Sequence, residues 1–241
     1  MAVNELHRQV AEVALAAAAG HGFALGGGNA LLAHGIISRP TQDVDLFTDQ
    51  EHGVEAAAEA VETALRGAGF GVLRQEAEDG GLADIFPDMG QGLAEWIITA
   101  ADGAQMVLQL AYFGRTREPV VMEVGPVLAV EDVAGGKVCA LASRVEPRDY
   151  ADTARLLERH SPAELIGFAR RLDPGLTARD FADAGQQLDH IDDEAFTRYG
   201  LGPADVAVVR QRFAAWPRTA EAAPREMQAS EPGRQDPEAA P

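Results

Sequence analysis

The 241-residue sequence predicts an α+β fold, in which a mixed sheet with flanking helices is followed by a helical bundle. Short apolar segments separated by Gly and Asp occupy much of the first half, and such spacing is typical of strands and hairpins. In the second half, acidic caps and prolines instead mark the starts of successive helices. The predicted organisation is therefore an α/β core at 1–130, a helical domain at 131–216 and a tail at 217–241.

The first helix is predicted over residues 4–19, where Leu6, Val10, Val13 and Ala17 recur at helical spacing. Apolar segments bounded by Gly, Asp or Pro predict strands, and a stretch rich in Ala and Glu predicts a further helix. In chain order, the other elements of this half are a strand at 23–25, a helix at 29–34, a strand at 43–47, a helix at 54–67, and strands at 71–75, 82–86, 96–99, 106–113 and 120–124.

The second half is predicted to be helical as far as Trp216. Glu131 and Asp132 cap a helix that runs to about Val145, and Pro147 ends that helix and starts the next. Beyond Trp216 the chain has almost no large apolar residues, so the tail is expected to be disordered. The later helices are predicted at 147–158, 162–172, 177–190, 192–199 and 203–215.

The composition indicates a soluble globular protein without a membrane-spanning segment. Hydrophobic residues make up 46% of the chain and charged residues 24%. No apolar run approaches the roughly 20 residues that a membrane helix needs. The N-terminus lacks the features of a secretory signal, and the single cysteine, Cys139, excludes an internal disulfide. We therefore expect a cytoplasmic protein with no membrane partner.

The net charge of −18 restricts the possible partners. Such a field repels nucleic acid at long range, so an RNA substrate would need a locally basic surface or one supplied by a partner. Metal ions and cationic small molecules meet no such barrier. Lys137 is the only lysine among the 20 basic residues. This either reflects chance or marks a site that needs a compact ammonium instead of a planar guanidinium.

A glycine turn separates the first predicted strand from the second predicted helix. Glycines permit positive φ and close backbone approach, and the free N–H groups at a helix start attract anions. Gly27 and Gly28 could therefore hold a phosphate, and Asn29 could cap the helix or touch the same phosphate. The alternative is an ordinary turn, because the pattern is neither a Walker loop nor a dinucleotide fingerprint.

Asp43 and Asp45 lie two residues apart on a predicted strand and therefore face the same side. Carboxylates this close repel each other unless a proton or a cation lies between them. Mg²⁺ suits such a pair, because it takes one or two protein carboxylates together with water and phosphate oxygens. A solvated strand edge is the alternative for the pair alone, and the nearby glycine turn favours the metal.

Lys137 and Arg144 lie seven residues apart, about two helical turns, and so share a helix face. Arg148 follows at the start of the next helix. Together these cations could neutralise a triphosphate. The alternative is a solvated amphipathic helix in which Asp149 and Asp152 pair with the arginines.

Two stretches of the sequence together resemble the AbiEii/AbiGii-type nucleotidyltransferases. The first comprises Gly27-Gly28-Asn29-Ala30, His34 and residues 39–47, Arg-Pro-Thr-Gln-Asp-Val-Asp-Leu-Phe; the second comprises Glu131-Asp132-Val133-Ala134, Lys137, Ala140, Leu141, Arg144 and residues 148–152, Arg-Asp-Tyr-Ala-Asp. The resemblance covers about residues 20–160. It implies a DNA polymerase β-like nucleotidyltransferase fold with a helical C-terminal half.

The resemblance also implies a function and a set of site residues. Mg²⁺ is the implied cofactor and a nucleoside triphosphate (NTP) the implied substrate. Members often act as toxins of bacterial toxin–antitoxin pairs, some by adding nucleotides to tRNA, so tRNA is an expected acceptor and an antitoxin an expected partner. By motif match, the metal ligands are Asp43 and Asp45, the catalytic residues are these two and Lys137, and the nucleotide-binding residues are Gly27, Gly28, Asn29, Arg39, Thr41, Lys137 and Arg144.

The sequence departs from the family's pattern at two positions. Asn29 stands where Ser or Thr usually follows the second glycine, and its amide can still donate a hydrogen bond. Gln109 stands where these enzymes commonly carry a third carboxylate, and an amide cannot take a proton from an attacking hydroxyl. Glu123 or another acid could substitute, two carboxylates could suffice, or catalysis could be weak or absent.

Two alternative functions follow. Gln109 favours a catalytically weakened module that binds a nucleotide or a partner chain. The acidic net charge favours an antibiotic-type small-molecule nucleotidyltransferase, because aminoglycosides are cations.

Overall fold

A seven-stranded mixed sheet forms the centre of the N-terminal half in the computed structural model, which describes residues 5–75 and 92–224. Its spatial order is β3-β4-β5-β2-β1-β7-β6, with β2 antiparallel to β1 and parallel to β5. The strands are β1 (Ala24–Leu25), β2 (Asp43–Thr48), β3 (Gly71–Gln75), β4 (Leu93–Thr99), β5 (Gln105–Tyr112), β6 (Val120–Met122) and β7 (Gly125–Val127).

The strand register places polar side chains in a row on one face of the sheet. Asp45 of β2 lies opposite Gln109 of β5, and Gln109 lies opposite Glu95 of β4. Because side chains alternate along a strand, Asp43 shares this face with Asp45. The intervening Val44 points to the other face and is fully buried. The alternation in β2 thus decides which side of the sheet carries the acids.

Eight α-helices surround or follow the sheet within the described residues. They are α1 (Glu5–Ala17), α2 (Gly27–Ala33), α3 (Gly53–Gly67), α4 (Val130–Arg144), α5 (Pro147–Leu156), α6 (Pro162–Leu172), α7 (Ala178–Gln187) and α8 (Pro203–Arg212), with 3₁₀ helices at Ala19–His21, Leu188–His190, Asp193–Tyr199 and Phe213–Ala215. Ser161 and Thr177 begin α6 and α7 with capping boxes. Across the described ranges, no helix is both long enough and apolar enough to cross a bilayer.

The two halves share one hydrophobic core. Trp96 from β4, Tyr150 from α5 and Phe181 from α7 are fully buried members of the same cluster. Helix α4 joins the halves, because it packs against both α2 and α6. Gly135 permits the contact with α6, since a Cβ at this position would lie 2.9 Å from the carbonyl oxygen of Phe168. Side chains that project from α4 therefore stand on a helix that is fixed from two sides.

The α+β fold class predicted from the sequence is confirmed, with differences at the ends of elements. Helix α2 begins at Gly27 instead of residue 29, because the glycines form its first turn. The predicted strand at 120–124 is the first part of a hairpin of β6 and β7, and the chain turns just before Gly125, whose φ is +117°. The predicted strand at 82–86 lies outside the described residues.

The packed chain extends past the predicted start of the tail at residue 217. Ala223 is buried, Arg218 pairs with Asp189 at 2.6 Å, and Arg170 donates a hydrogen bond to the carbonyl oxygen of Pro224. These contacts use an ion pair, a backbone carbonyl and one small apolar side chain, and none of them requires the large apolar residues on which the composition argument depends. Residues 225–241 lie outside the described part of the chain, and the predicted division into domains stays a prediction.

Candidate active site

Most of the predicted site residues converge on one cleft of about 280 Å³, formed by β2, β5, the start of α2 and the facing sides of α4 and α5. Asn29 does not line it. The predicted residues that do are Gly27, Gly28, Arg39, Thr41, Asp43, Asp45, Lys137 and Arg144. The tertiary fold thus brings the two sequence motifs to one place.

Asp43 and Asp45 present their side chains to the cleft from β2. Asp43 is 33% exposed, whereas Asp45 is buried. Burial, and then the charge of Asp43, raises the pKa of Asp45 to about 7, although Lys137 and Arg148 oppose the rise. A divalent cation would replace the proton that Asp45 retains, because it satisfies both carboxylates at once.

This donor pair fits Mg²⁺ better than a metal that needs a full cage of protein ligands. Within residues 5–75 and 92–224, no group of three or more His, Cys, Asp or Glu side chains could hold a metal ion. Mg²⁺ commonly binds through one or two carboxylates and fills its remaining positions with water and phosphate oxygens. Asp43 and Asp45 would therefore hold such an ion and leave room for a triphosphate.

Close backbone approach explains the two glycines at the start of α2. Gly27 has a φ of +55°, and a Cβ at this position would lie 1.7 Å from Asp45 Oδ2. A Cβ on Gly28 would lie 2.6 Å from Cγ2 of Thr41. The first amides of a helix have no partner within the helix. Because neither glycine has a side chain, the first amides of α2 can lie next to the acids of β2.

The side chain of Asn29 lies behind the cleft. Its Nδ2 donates to the backbone oxygen of Asp43 at 2.7 Å, and its Oδ1 accepts from the Thr41 hydroxyl at 2.9 Å. His7 Nδ1 lies 3.1 Å from the same hydroxyl. Since the hydroxyl proton is directed at Asn29, the His7 ring is the donor in this contact. Asn29 thus positions Asp43, and its contact with a nucleotide stays a prediction.

The only lysine belongs to an ion cluster around a buried carboxylate. Lys137 Nζ lies 3.0 Å from Asp152 Oδ2, and Arg39 donates to both oxygens of Asp152 at 2.7 to 2.9 Å. Burial alone would raise the pKa of Asp152, but Lys137 and Arg39 outweigh it and hold that pKa below its ordinary value. Two cations share one anion, so the cluster keeps an excess positive charge beside the cleft.

Arg144 and Arg148 have carboxylates of their own. Arg144 makes two hydrogen bonds of 2.9 Å to Asp149, a pairing that the sequence offered only as an alternative on a solvated helix face, whereas Asp149 is fully buried. Arg148 Nε forms an ion pair with Glu146 Oε2 at 2.8 Å, without the alignment of a hydrogen bond, and Arg148 Nη1 lies 3.9 Å from Asp43 Oδ2. Arg148 therefore links the helical half to an acid of β2.

Gln109 lines the cleft beside Asp45, on the strand where a third carboxylate is expected. Its Nε2 donates to Glu95 Oε2 on β4. An ionised carboxylate only accepts hydrogen bonds, so this contact directs the amide nitrogen to Glu95 and leaves the amide oxygen for other partners. Glu123 lies in the β6–β7 turn and does not line the cleft. Glu95 lies one strand further from Asp45 than Gln109 and does not line the cleft either.

The C-terminal half contributes cleft residues that sequence reasoning missed. Arg198, Tyr199 and Gly200 line the cleft at the end of the 3₁₀ helix Asp193–Tyr199. No motif or spacing marks this segment, because it reaches the cleft only through tertiary packing. Asp132, which the sequence predicts to be a helix cap, also lines the cleft and accepts hydrogen bonds from the backbone of Thr116 and Arg117.

Comparison with known proteins relates this cleft to an enzyme family. The sequence matches the family described as nucleotidyl transferase AbiEii toxin, Type IV TA system, over residues 11–218. No match was found among curated proteins. Among solved structures, MenT4, the nucleotidyltransferase toxin Rv2826c from Mycobacterium tuberculosis H37Rv, has a TM-score of 0.54 at 16% identity, with 87% of this chain and 82% of that chain covered.

A second similar structure is that of JHP933 from Helicobacter pylori, which has a TM-score of 0.53 at 14% identity, with 88% of this chain and 92% of that chain covered. At 14–16% sequence identity, this structural similarity establishes a shared fold and nothing further. The family match spans most of the chain and confirms the resemblance carried by the two motifs. The chain therefore belongs to the AbiEii toxin family of nucleotidyltransferases.

Proposed function

We propose that this nucleotidyltransferase moves a nucleoside monophosphate from a Mg²⁺-bound NTP to an acceptor hydroxyl. The observation that carries the proposal is the convergence of Asp43, Asp45, Gly27 and Lys137 on one cleft. Paired carboxylates suit a divalent cation, backbone amides suit a phosphate, and an ammonium suits developing negative charge. The proposed transfer at the α-phosphate uses all three groups.

Each group has a defined task in the proposed reaction. Asp43 and Asp45 would hold Mg²⁺, which when bound stabilises charge on the attacking and leaving oxygens. Lys137 and Arg39 share Asp152 and offer their excess charge to the triphosphate. The acceptor oxygen would bond to the α-phosphorus as the bond to pyrophosphate breaks. Because Gln109 cannot accept the hydroxyl proton, that proton would pass to solvent or to a carboxylate of the pair Asp43 and Asp45.

We further propose tRNA as the acceptor, a cognate antitoxin as the partner and the cytoplasm as the location. Membership of a toxin family supports the antitoxin and the NTP. MenT4, which has a similar fold, is itself a nucleotidyltransferase toxin. The net charge of −18 opposes RNA at long range, so the cations of the cleft would have to provide the local attraction.

The decisive experiment follows label transfer from each α-³²P-labelled NTP to total tRNA in the presence of Mg²⁺. Asp43→Asn should abolish the transfer, because it removes a charged ligand from the metal pair. Asp183→Asn makes the same chemical change at an exposed position of α7 and should leave transfer intact. Undiminished labelling by Asp43→Asn would overturn the proposal. Competition between tRNA and an aminoglycoside separates the RNA acceptor from a small-molecule acceptor.

Gln109 favours a second candidate, a module that binds Mg²⁺–NTP without turnover. The amide occupies the position beside Asp45 where a carboxylate is expected. Calorimetry that detects Mg²⁺–NTP binding, with no pyrophosphate released in the presence of tRNA, protein or aminoglycoside acceptors, would support this candidate. Pyrophosphate release with any of these acceptors would exclude it.

A further inference from the structure

The C-terminal wall of the cleft is a short segment held firmly in place. The 3₁₀ helix Asp193–Tyr199 packs through Phe196, which is fully buried. Arg210 of α8 bonds to Asp193 at 2.6 Å and to the carbonyl oxygen of Ile191 at 2.8 Å. The Tyr199 hydroxyl lies 3.4 Å from Glu146 Oε2 at the start of α5. The start of this helix is therefore anchored to α8, and its end contacts the start of α5.

Arg198 differs from the other cations of the cleft in its electrostatic environment. Each of the others has a carboxylate within 4.0 Å: Arg39 and Lys137 have Asp152, Arg144 has Asp149, and Arg148 has Glu146. Within the described ranges, Arg198 has no such partner and is exposed. It is therefore a cleft cation whose charge no neighbouring acid of the described chain offsets.

The position of Arg198 relative to Tyr199 suggests the kind of ligand. The Arg198 guanidinium lies over the Tyr199 ring, with Cζ 4.9 Å from the ring centroid. The Tyr199 ring is half-buried and lines the cleft together with Arg198. Aromatic rings and guanidinium planes are surfaces on which nucleobases stack, and a guanidinium also binds phosphate. The pair combines both properties at one edge of the cleft.

We propose that Arg198 and Tyr199 form a base-binding platform, which stacks a nucleobase and contacts its phosphate. The platform deepens the proposed nucleotidyl transfer and rests on it, because that function brings nucleotides into this cleft. The base belongs either to the NTP or to the terminal nucleotide of the RNA acceptor, which share this chemistry. Binding measurements separate the two sources and do not require turnover. Loss of base binding can therefore be distinguished from loss of nucleotidyl transfer.

The first experiment compares binding of Mg²⁺–NTP with binding of Mg²⁺–tripolyphosphate, which has no base. If the platform holds the NTP base, Tyr199→Leu should weaken NTP binding about tenfold or more, which is the effect of a lost stacking contact. The same variant should bind tripolyphosphate with unchanged affinity. Tyr199→Phe keeps the ring and should bind like the unaltered protein. Circular dichroism and the thermal midpoint check that each variant is folded.

The second experiment measures binding of a short single-stranded RNA and of the same RNA with an abasic 3′ terminal nucleotide. If the platform holds the acceptor base, Tyr199→Leu should weaken binding of the first RNA only. Arg198→Ala should weaken whichever ligand Tyr199→Leu weakens, whereas Arg155→Ala, which removes an exposed and ion-paired arginine of α5, should not. Unchanged NTP and RNA affinity in folded Tyr199→Leu and Arg198→Ala proteins would overturn the platform.

Discussion

At the scale of single residues, the cleft is organised around an aspartate that resists ionisation. Asp45 lies within van der Waals range of a glycine turn, beside a second carboxylate and below several cations, and its pKa is raised to about 7. Such a group destabilises the metal-free fold when it is charged, and a bound cation removes that penalty. A carboxylic acid whose pKa is raised by burial and a neighbouring charge is typical of functional sites.

The raised pKa of Asp45 predicts a pH dependence of stability. Between the pKa of an ordinary aspartate, about 4, and about 7, the folded protein holds a proton that the unfolded chain has released. The free energy of unfolding should therefore fall as the pH rises through this window. Denaturant unfolding in EDTA at several pH values measures the effect, with Asp45→Asn as the comparison. An identical pH profile for both proteins would contradict the assignment.

Gly27→Ala should disable the site while the fold survives. The added Cβ would meet Asp45 Oδ2, and a φ of +55° is strained for alanine. We expect a loss of stability of about 1–3 kcal/mol and at least a tenfold loss of label transfer. Gly67→Ala in α3 is the matched control, because no atom crowds that position and alanine favours a helix. Full activity in folded Gly27→Ala protein would show that the turn tolerates a displaced Asp45.

At the scale of elements, the cleft depends on a carboxylate that faces away from solvent. Asp152 of α5 holds Lys137 of α4 and Arg39 of the loop before β2. Asp152→Asn should leave two cations without their anion, and we expect destabilisation of about 3–5 kcal/mol, as for other broken buried pairs. The loss of Lys137 alignment should also reduce label transfer. Glu158→Gln, which alters two partly exposed ion pairs with Arg155 and Arg212, should cost less than about 1 kcal/mol in denaturant unfolding.

The row of Asp45, Gln109 and Glu95 across three strands allows a gain-of-function test. Gln109→Asp places a carboxylate at the expected third position, where it can accept a proton or bind the metal. If the missing acid limits turnover, the variant should transfer label several-fold faster and need less Mg²⁺. Gln105→Asp adds the same charge at an exposed position of β5 and should change neither quantity. If the unaltered protein transfers label and Gln109→Asp transfers it at the same rate, the missing acid does not limit turnover.

At the scale of the whole molecule, the last described residues belong to the folded unit. Arg218, Ala223 and Pro224 contact the helical half. A chain that ends at residue 216 should therefore melt several degrees below a chain that ends at 224, because each lost kilocalorie lowers the midpoint by about 2–4 °C for a protein of this size. Thermal unfolding of the two truncated proteins measures the difference. Equal thermal midpoints would show that these contacts do not contribute measurably to the stability of the fold.

Much of the sheet half and of the site followed from local sequence patterns. Alternation around Val44 placed both aspartates on one face, and helical spacing placed Lys137 and Arg144 together, because these relations depend on backbone geometry alone. The pairing of Arg39 with Asp152 joins residues 113 positions apart, and no local pattern encodes such a contact. The same applies to Glu95, which depends on strand register, and to Tyr199, which reaches the cleft through packing.

The division of the cleft between the two halves has a consequence for the making of the protein. The paired acids Asp43 and Asp45 follow Arg39 closely, whereas the other cations of the cleft lie between residues 137 and 148 and at Arg198. A ribosome releases the acidic strand first and the basic wall last. A nascent chain thus exposes these two carboxylates before Lys137, Arg144 and Arg148 can balance them, and the complete site can assemble only after residue 200 has emerged. A growing chain that is still shorter than this lacks the C-terminal wall of the cleft.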